Sequence, residues 1–350
     1  MKLAFIDHSF HQKSTATKFL IELFKKCFHV DVFWDDSWSG GTRVDISELN
    51  ENSYNVVLFF QMLDYPLSEI RSMPCQNVIF VPMYDVSFAT SSYEWLRLRD
   101  YRFINFSSTL HRKMQRLGLY SLGVHYFLNP AEFEAEDDFE NFRGFFWQRT
   151  DEITWNHVSQ LIGVSEFRKF HIHTAVDPHG FKFIRPSLEE RQKYSITMSD
   201  WFDEKKDYLR TMQKANIYFA PRQYEGIGMS FLEAMTMGKC VVAVDHPTMN
   251  EYISDGIDGY LYDIQSVQPV DLSRAREIGK RAREKCILGY ERWVADKDLI
   301  VEFVSRQNSR VGFIARTVLT SSARTVGYAS HLSGKMKAVI KKVIMKCCSR

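Results

Sequence analysis

No stretch of the 350 residues approaches the roughly 18 consecutive apolar residues that cross a bilayer. The N-terminus has only a short apolar run, residues 2–6, before Asp7, so a secretory signal is not expected. None of the six cysteines forms a C-x-x-C pair, and no Cys/His cluster has zinc spacing. These absences argue against a structural zinc module and favour reduced thiols in a cytoplasmic body. Aromatic residues make up 14% of the chain but do not interleave with a basic stripe in its body, so nucleic acid is not an expected partner. No internal repeat or low-complexity stretch is evident. One further absence is local: residues 306–350 hold ten Lys or Arg and no Asp or Glu.

That tail changes the meaning of the net charge of +2. Without it, residues 1–305 hold 35 basic and 43 acidic side chains, a charge of −8. An acidic body with a basic tail points to an anionic surface as the tail's partner. In the tail, Met336, Val339, Ile340, Val343 and Ile344 recur on one helical face beside Lys335, Lys337, Lys341, Lys342 and Lys346. Such a basic amphipathic helix suits a membrane interface. The whole chain, at 45% hydrophobic and 25% charged, has the composition of a soluble globular protein and the length for two cores.

Short apolar runs at 2–6, 30–33, 56–60, 78–82 and 103–106 read as strands, with helical patterns at 19–27 and 108–117. A second series follows: strands at 144–148, 170–174, 217–220 and 240–244, and helices at 154–162, 208–214 and 229–237. Strands alternating with helices predict doubly wound sheets, which bind ligands beyond the carboxyl ends of their strands. The acidic, Pro130-containing stretch 129–141 reads as an interdomain linker. The expected division is 1–128, the linker, 142–290, a late helix at 291–305 and the tail.

The most informative stretch is 220–263. Gly226 and Gly228 clear the backbone before a helix at 229–237, Gly238 sits where a C′ glycine belongs, and a buried strand follows. A glycine-lined helix N-terminus suits a phosphate. Glu225 and Glu233, eight positions apart, bracket that helix start, and a carboxylate can accept from both hydroxyls of a sugar diol.

The segment E225-GIGMSFL-E233 resembles the Glu-x7-Glu signature of retaining, "group 1" glycosyltransferases of the GT-B fold. The resemblance continues through LEAM-x-x-G, the next strand, Glu251 and the DG-x-x-G-x-L turn at 255–261, about 40 residues in all. It implies two Rossmann-like domains facing across a cleft, with the acceptor on the first and the nucleotide on the second. It also implies that Glu233 holds the donor ribose, that Glu225 contacts the transferred sugar, and that Glu251 lies near the nucleotide. In the family, basic side chains and a helix N-terminus neutralise the leaving diphosphate without a metal. Arg149 stands in the family's strand-end arginine position, and the backbone from Gly226 through Ile227 and Gly228 to Met229 would supply amides.

Two departures stand out. The lysine expected about five residues after Arg149 is replaced by Thr154 and Trp155, and Arg222 is a candidate to compensate. The first loop carries His8, Ser9, His11, Lys13 and Ser14 in place of glycines; Lys13 is its strongest anion candidate. Asp85, after the strand at 78–82, is a contact for acceptor or donor sugar, or a helix cap. His125, in an apolar run, reads as a core histidine. Asp35-Asp36 lacks the spacing of a metal-binding Asp-x-Asp and is rejected; no metal or cofactor is expected.

The resulting expectation is a metal-independent glycosyltransferase using a nucleotide-diphospho-sugar. Its acceptor would be a saccharide, with a lipid-linked one suggested by the tail. The enzyme would sit peripherally on the inner face of the cytoplasmic membrane and serve surface polysaccharide or lipopolysaccharide assembly. A nucleotide-sugar epimerase of the same fold and a catalytically silent binding module are the alternatives.

Overall fold

The computed structural model describes residues 1–177 and 181–306, apart from the side chains of residues 50 and 51. The amphipathic segment expected at 335–346, with the rest of the tail beyond Arg306, lies outside the described residues.

Among the described residues twelve strands form two six-stranded sheets, and every pairing between these strands is parallel. The first contains β1 (Lys2–His8), β2 (His29–Asp35), β3 (Val56–Phe60), β4 (Val78–Val81), β5 (Arg102–Asn105) and β6 (Tyr120–Gly123). Its order is β2-β1-β3-β4-β5-β6. The second contains β7 (Phe142–Trp147), β8 (Phe167–His173), β9 (Ile196–Ser199), β10 (Ile217–Phe219), β11 (Cys240–Val244) and β12 (Tyr260–Tyr262). Its order is β12-β11-β10-β7-β8-β9. Read from the other edge, that is the 3-2-1-4-5-6 arrangement of a dinucleotide-binding Rossmann sheet.

The apolar runs are explained by cover on both faces. Leu3 and Phe5 of β1 enter one core, while Ala4 and Ile6 enter the other. In the second sheet, Phe145 of β7 stacks on Tyr218 of β10 at 5.8 Å and on His171 of β8 at 5.6 Å. The strands absent from the sequence reading, β6, β9 and β12, are short edge or near-edge strands with half-exposed positions. They carry too few apolar residues to register as runs.

Each sheet reverses its winding between two adjacent strands, β1/β3 in the first and β7/β10 in the second. The crevices at these points face each other, and loops from all four strands line the shared cleft.

The helix Ala275–Ser305 joins the domains as one 31-residue element. Its first half packs on the second domain, where a side chain at Gly279 would place Cβ 2.2 Å from the Gly238 carbonyl oxygen. Its second half reaches the first domain. Trp293 meets Tyr126 at 5.1 Å and Phe19 at 5.7 Å, and Asn77 donates to the Val304 carbonyl at 3.1 Å. Residues 129–141 are pinned to the second domain: Glu136 N–H donates to the Met237 carbonyl at 2.7 Å, and Arg143 pairs with Glu136 and Asp138.

Candidate active site

The cleft has a volume of about 870 Å³. At its base β10 ends in the loop that carries Arg222, Glu225, Gly226 and Gly228, followed by the helix Met229–Thr236. Gly228 holds the helix N-terminus in a left-handed conformation, φ +79°, and a Cβ there would lie 1.9 Å from the Phe231 ring. No side chain caps this helix. Its first N–H groups therefore keep their partial positive charge beside the cleft. Gly226 serves close approach: a Cβ there would meet Met83 of the first domain at 2.9 Å.

Glu225 and Glu233 both line the cleft and are only 5% and 2% exposed. Glu225 Oε1 is buried without a hydrogen-bond partner. Burial pushes its carboxyl above the ordinary range, although Arg222 and Arg149 pull the other way. A buried oxygen lacking a donor is costly, so the site is built to receive a donor from a ligand. Glu233 Oε1 lies 2.6 Å from Lys205 Nζ.

Arg149 follows β7, stacks on Trp147 at 4.9 Å, and donates Nε–H to Asp177 at 2.9 Å. Arg222 joins the domains by pairing with Asp177 of the second and with Asp85 of the first, the latter at 3.2 Å. Burial raises Asp85's pKa despite the opposing pull of Arg222 and Arg149. Asp85 thus faces the cleft and also accepts from the Val86 N–H at 3.0 Å; it lies inside the helix Tyr84–Ser87, whose N-cap is Met83, and does not cap it. Lys13 reaches the cleft too, but its ammonium lies over the Trp201 ring at 4.1 Å, across from its own domain.

Two expectations need correction. Glu251 does not line the cleft. Its carboxylate reaches across the domain seam and accepts from Ser108 N–H at 2.6 Å, Thr109 N–H at 2.8 Å and the Ser107 hydroxyl at 3.0 Å. It thereby satisfies the first N–H groups of the first-domain helix Ser108–Arg116, because the short helix Met249–Tyr252 that carries it packs at the domain seam. His125 is a seam residue, not a core one: 36% exposed, it hydrogen-bonds Ser108 Oγ at 3.1 Å and lies 3.6 Å from Glu251. The first loop, expected to suit an anion, brings His8, His11, Lys13 and Ser14 to the cleft. Buried Asp7 takes His11 Nδ1 on both oxygens, at 2.8 and 2.9 Å, together with the Thr17 hydroxyl at 2.8 Å. Asp35 is saturated by Ser37, Val44 and Tyr65, and its neighbour Asp36 is exposed.

Sequence reasoning missed Asp177, Lys205 and the Asp7–His11 pair. Asp177 carries no local signal; its meaning comes from the two arginines that converge on it from β7 and β10. Lys205 sits in an unremarkable Glu-Lys-Lys run.

Residues 187–275, which include both glutamates, match the family described as "Glycosyl transferases group 1". No curated protein sequence matches the chain. Among solved structures, sucrose-phosphate synthase from Thermosynechococcus elongatus superposes with a TM-score of 0.61 at 14% identity, covering 86% of this chain and all of that one. HepE of Anabaena in complex with UDP-glucose gives 0.57 at 12% identity over 87% and 99%. The lipopolysaccharide outer core galactosyltransferase WaaB gives 0.54 at 14% identity over 93% and 100%. The two facing parallel sheets are the GT-B fold that these solved structures share, and residues 187–275 within it match the group 1 glycosyltransferase model.

Proposed function

We propose that the protein transfers a sugar from a nucleotide-diphospho-sugar to a saccharide acceptor, with retention of anomeric configuration and without a metal. The observation that carries this reading is the convergence of Glu225, Glu233 and Arg149 around an uncapped helix N-terminus at the second sheet's switch point. HepE, of similar fold, is described with UDP-glucose bound.

In this mechanism Glu233 accepts from the ribose hydroxyls, and Glu225 from a hydroxyl of the transferred sugar. As the glycosidic bond to the diphosphate breaks, negative charge grows on the leaving oxygen. The amides of residues 226–229 and Arg149 stabilise it. The leaving phosphate takes the acceptor hydroxyl's proton, so the new bond forms on the same face and no protein base is needed. Asp85 lies on the first-domain side, where an acceptor hydroxyl would approach.

No helix of the described residues is long and apolar enough to cross a membrane. The basic segment 306–350 is assigned to an anionic leaflet at about 1 kcal/mol per Lys or Arg near the surface. A lipid-linked acceptor of surface polysaccharide or lipopolysaccharide assembly fits that placement. WaaB, similar in fold, is described as a lipopolysaccharide galactosyltransferase.

The test is a thermal-shift screen with UDP, GDP, CMP and their sugar conjugates, repeated with Glu233→Ala. A shift with one nucleotide family that the variant loses supports the donor site. No shift with any of them refutes it. Product analysis then separates chemistries: an altered nucleotide sugar released without acceptor would mark an epimerase, and binding without turnover a silent module.

A further inference from the structure

The cleft is acidic. Among the described residues, seven Asp or Glu and five Lys or Arg line it. An incoming diphosphate therefore needs cations free to move toward it. The two arginines at the base are already engaged. Arg149 is held by Asp177, and Arg222 is clasped between Asp177 and Asp85. Arg43 and Lys13, from the first domain, pair with Asp64 and lie over Trp201 respectively.

Lys205 differs from all of these. It is the first residue of the helix Lys205–Gln213, which follows β9, and its side chain is 46% exposed. Among the described residues its ion-pair partner is Glu233, at 2.6 Å. Glu233 is the carboxylate assigned to the ribose, so the Lys205 ammonium covers the place where the two hydroxyls would bind. The nearby negative charge of Glu233 holds Lys205 firmly cationic. Its four-carbon stem leaves it free to swing, unlike a guanidinium fixed at two ends.

Resting on the donor-site reading above, we propose that Lys205 is the mobile cation of this site. It pairs with Glu233 while the cleft is empty and transfers to the donor's diphosphate once the ribose diol takes the carboxylate. One βα unit thus supplies the charge that the chain lacks at Thr154 and Trp155. The exchange leaves Glu233 partnered in both states, so no buried carboxylate is stranded at any stage.

The discriminating experiment is calorimetric titration of the full chain and of Lys205→Met with two matched probe pairs, uridine with UDP and guanosine with GDP. For the pair that the wild type binds, Lys205→Met should weaken the nucleoside diphosphate at least about tenfold. Its affinity for the nucleoside should stay the same or rise, since Lys205 no longer competes for Glu233. The diphosphate's affinity should also fall less steeply with salt in the variant, and Lys205→Arg should recover part of the loss. Equal weakening of nucleoside and diphosphate would make Lys205 a mere orienter of Glu233 and overturn the exchange. Unchanged diphosphate binding would overturn it too, while leaving the donor site standing. A wild-type protein that binds neither diphosphate would refute the donor site itself, and Lys205's role with it.

Discussion

Lys239 offers a quantitative test of how the second domain is built. It is fully buried just before β11, at the amino ends of the strands, opposite the cleft. Its ammonium donates to the carbonyls of Gln213, at 3.2 Å, and Ala215, and lies 3.9 Å from Glu136. Burial pushes its pKa down to about 7; Glu136 opposes the shift and Arg143 adds to it. The unfolded chain keeps an ordinary lysine pKa of about 10.4. Between these values the unfolded state binds a proton that the native state does not, so stability rises with pH. Below pH 7 both states are protonated and the burial cost is fully present; above 7 it is progressively relieved. Each pH unit in the window is worth about 1.4 kcal/mol. Relative to Lys239→Met, the wild type should therefore gain about 2 kcal/mol between pH 7.5 and 9.0. Urea unfolding of both proteins at several pH values, followed by hydrogen exchange at β10 and β11 amides, measures the difference. Parallel stability profiles would show that the ammonium stays charged in the fold and refute the reasoning.

Other outcomes are expected at the site. Glu225→Gln should lower kcat by about 100-fold or more while changing nucleotide affinity little, since the contact is to the transferred sugar; wild-type turnover would end that assignment. Because burial raises the Glu225 pKa, wild-type activity should fall on the acid side at a pH above the usual carboxylate range, and this limb should be missing from the variant's residual rate. Arg222→Met leaves Asp85 and Asp177 without their shared partner, at a cost of about 2–3 kcal/mol, below that of a fully buried pair. Small-angle scattering should show a wider cleft, and an unchanged radius of gyration would deny Arg222 a role in closure. Gly228→Ala forces a side chain into the left-handed region and against Phe231. It should abolish nucleotide binding and lower the melting temperature; retained binding would mean that the helix start is not part of the donor site.

Much of the second domain was legible because its signals are local. The glycines before Met229, the apolar β11 and the glutamate spacing all lie within about 25 residues, and each follows from backbone geometry or the hydrophobic period. Strands β1, β3, β4 and β5 of the first sheet were legible because a strand covered on both faces must be apolar throughout, whereas the half-exposed edge strand β6 was not. Strand ends were less so. Asp7 reads as the end of β1, yet the strand continues to His8, since His11 and Thr17 satisfy the buried carboxylate from further along the chain.

By itself, the sequence determined the α/β class, the number of sheets and the pair of glutamates at a helix start. Only the tertiary structure decided what those charges do. It sent Glu251 to the first N–H groups of a helix in the other domain, clasped Arg222 between Asp85 and Asp177, and laid Lys205 on Glu233 from 28 positions away. A charge's role depends on which partner lies within a few ångströms in a medium of low dielectric, and chain spacing does not encode that distance.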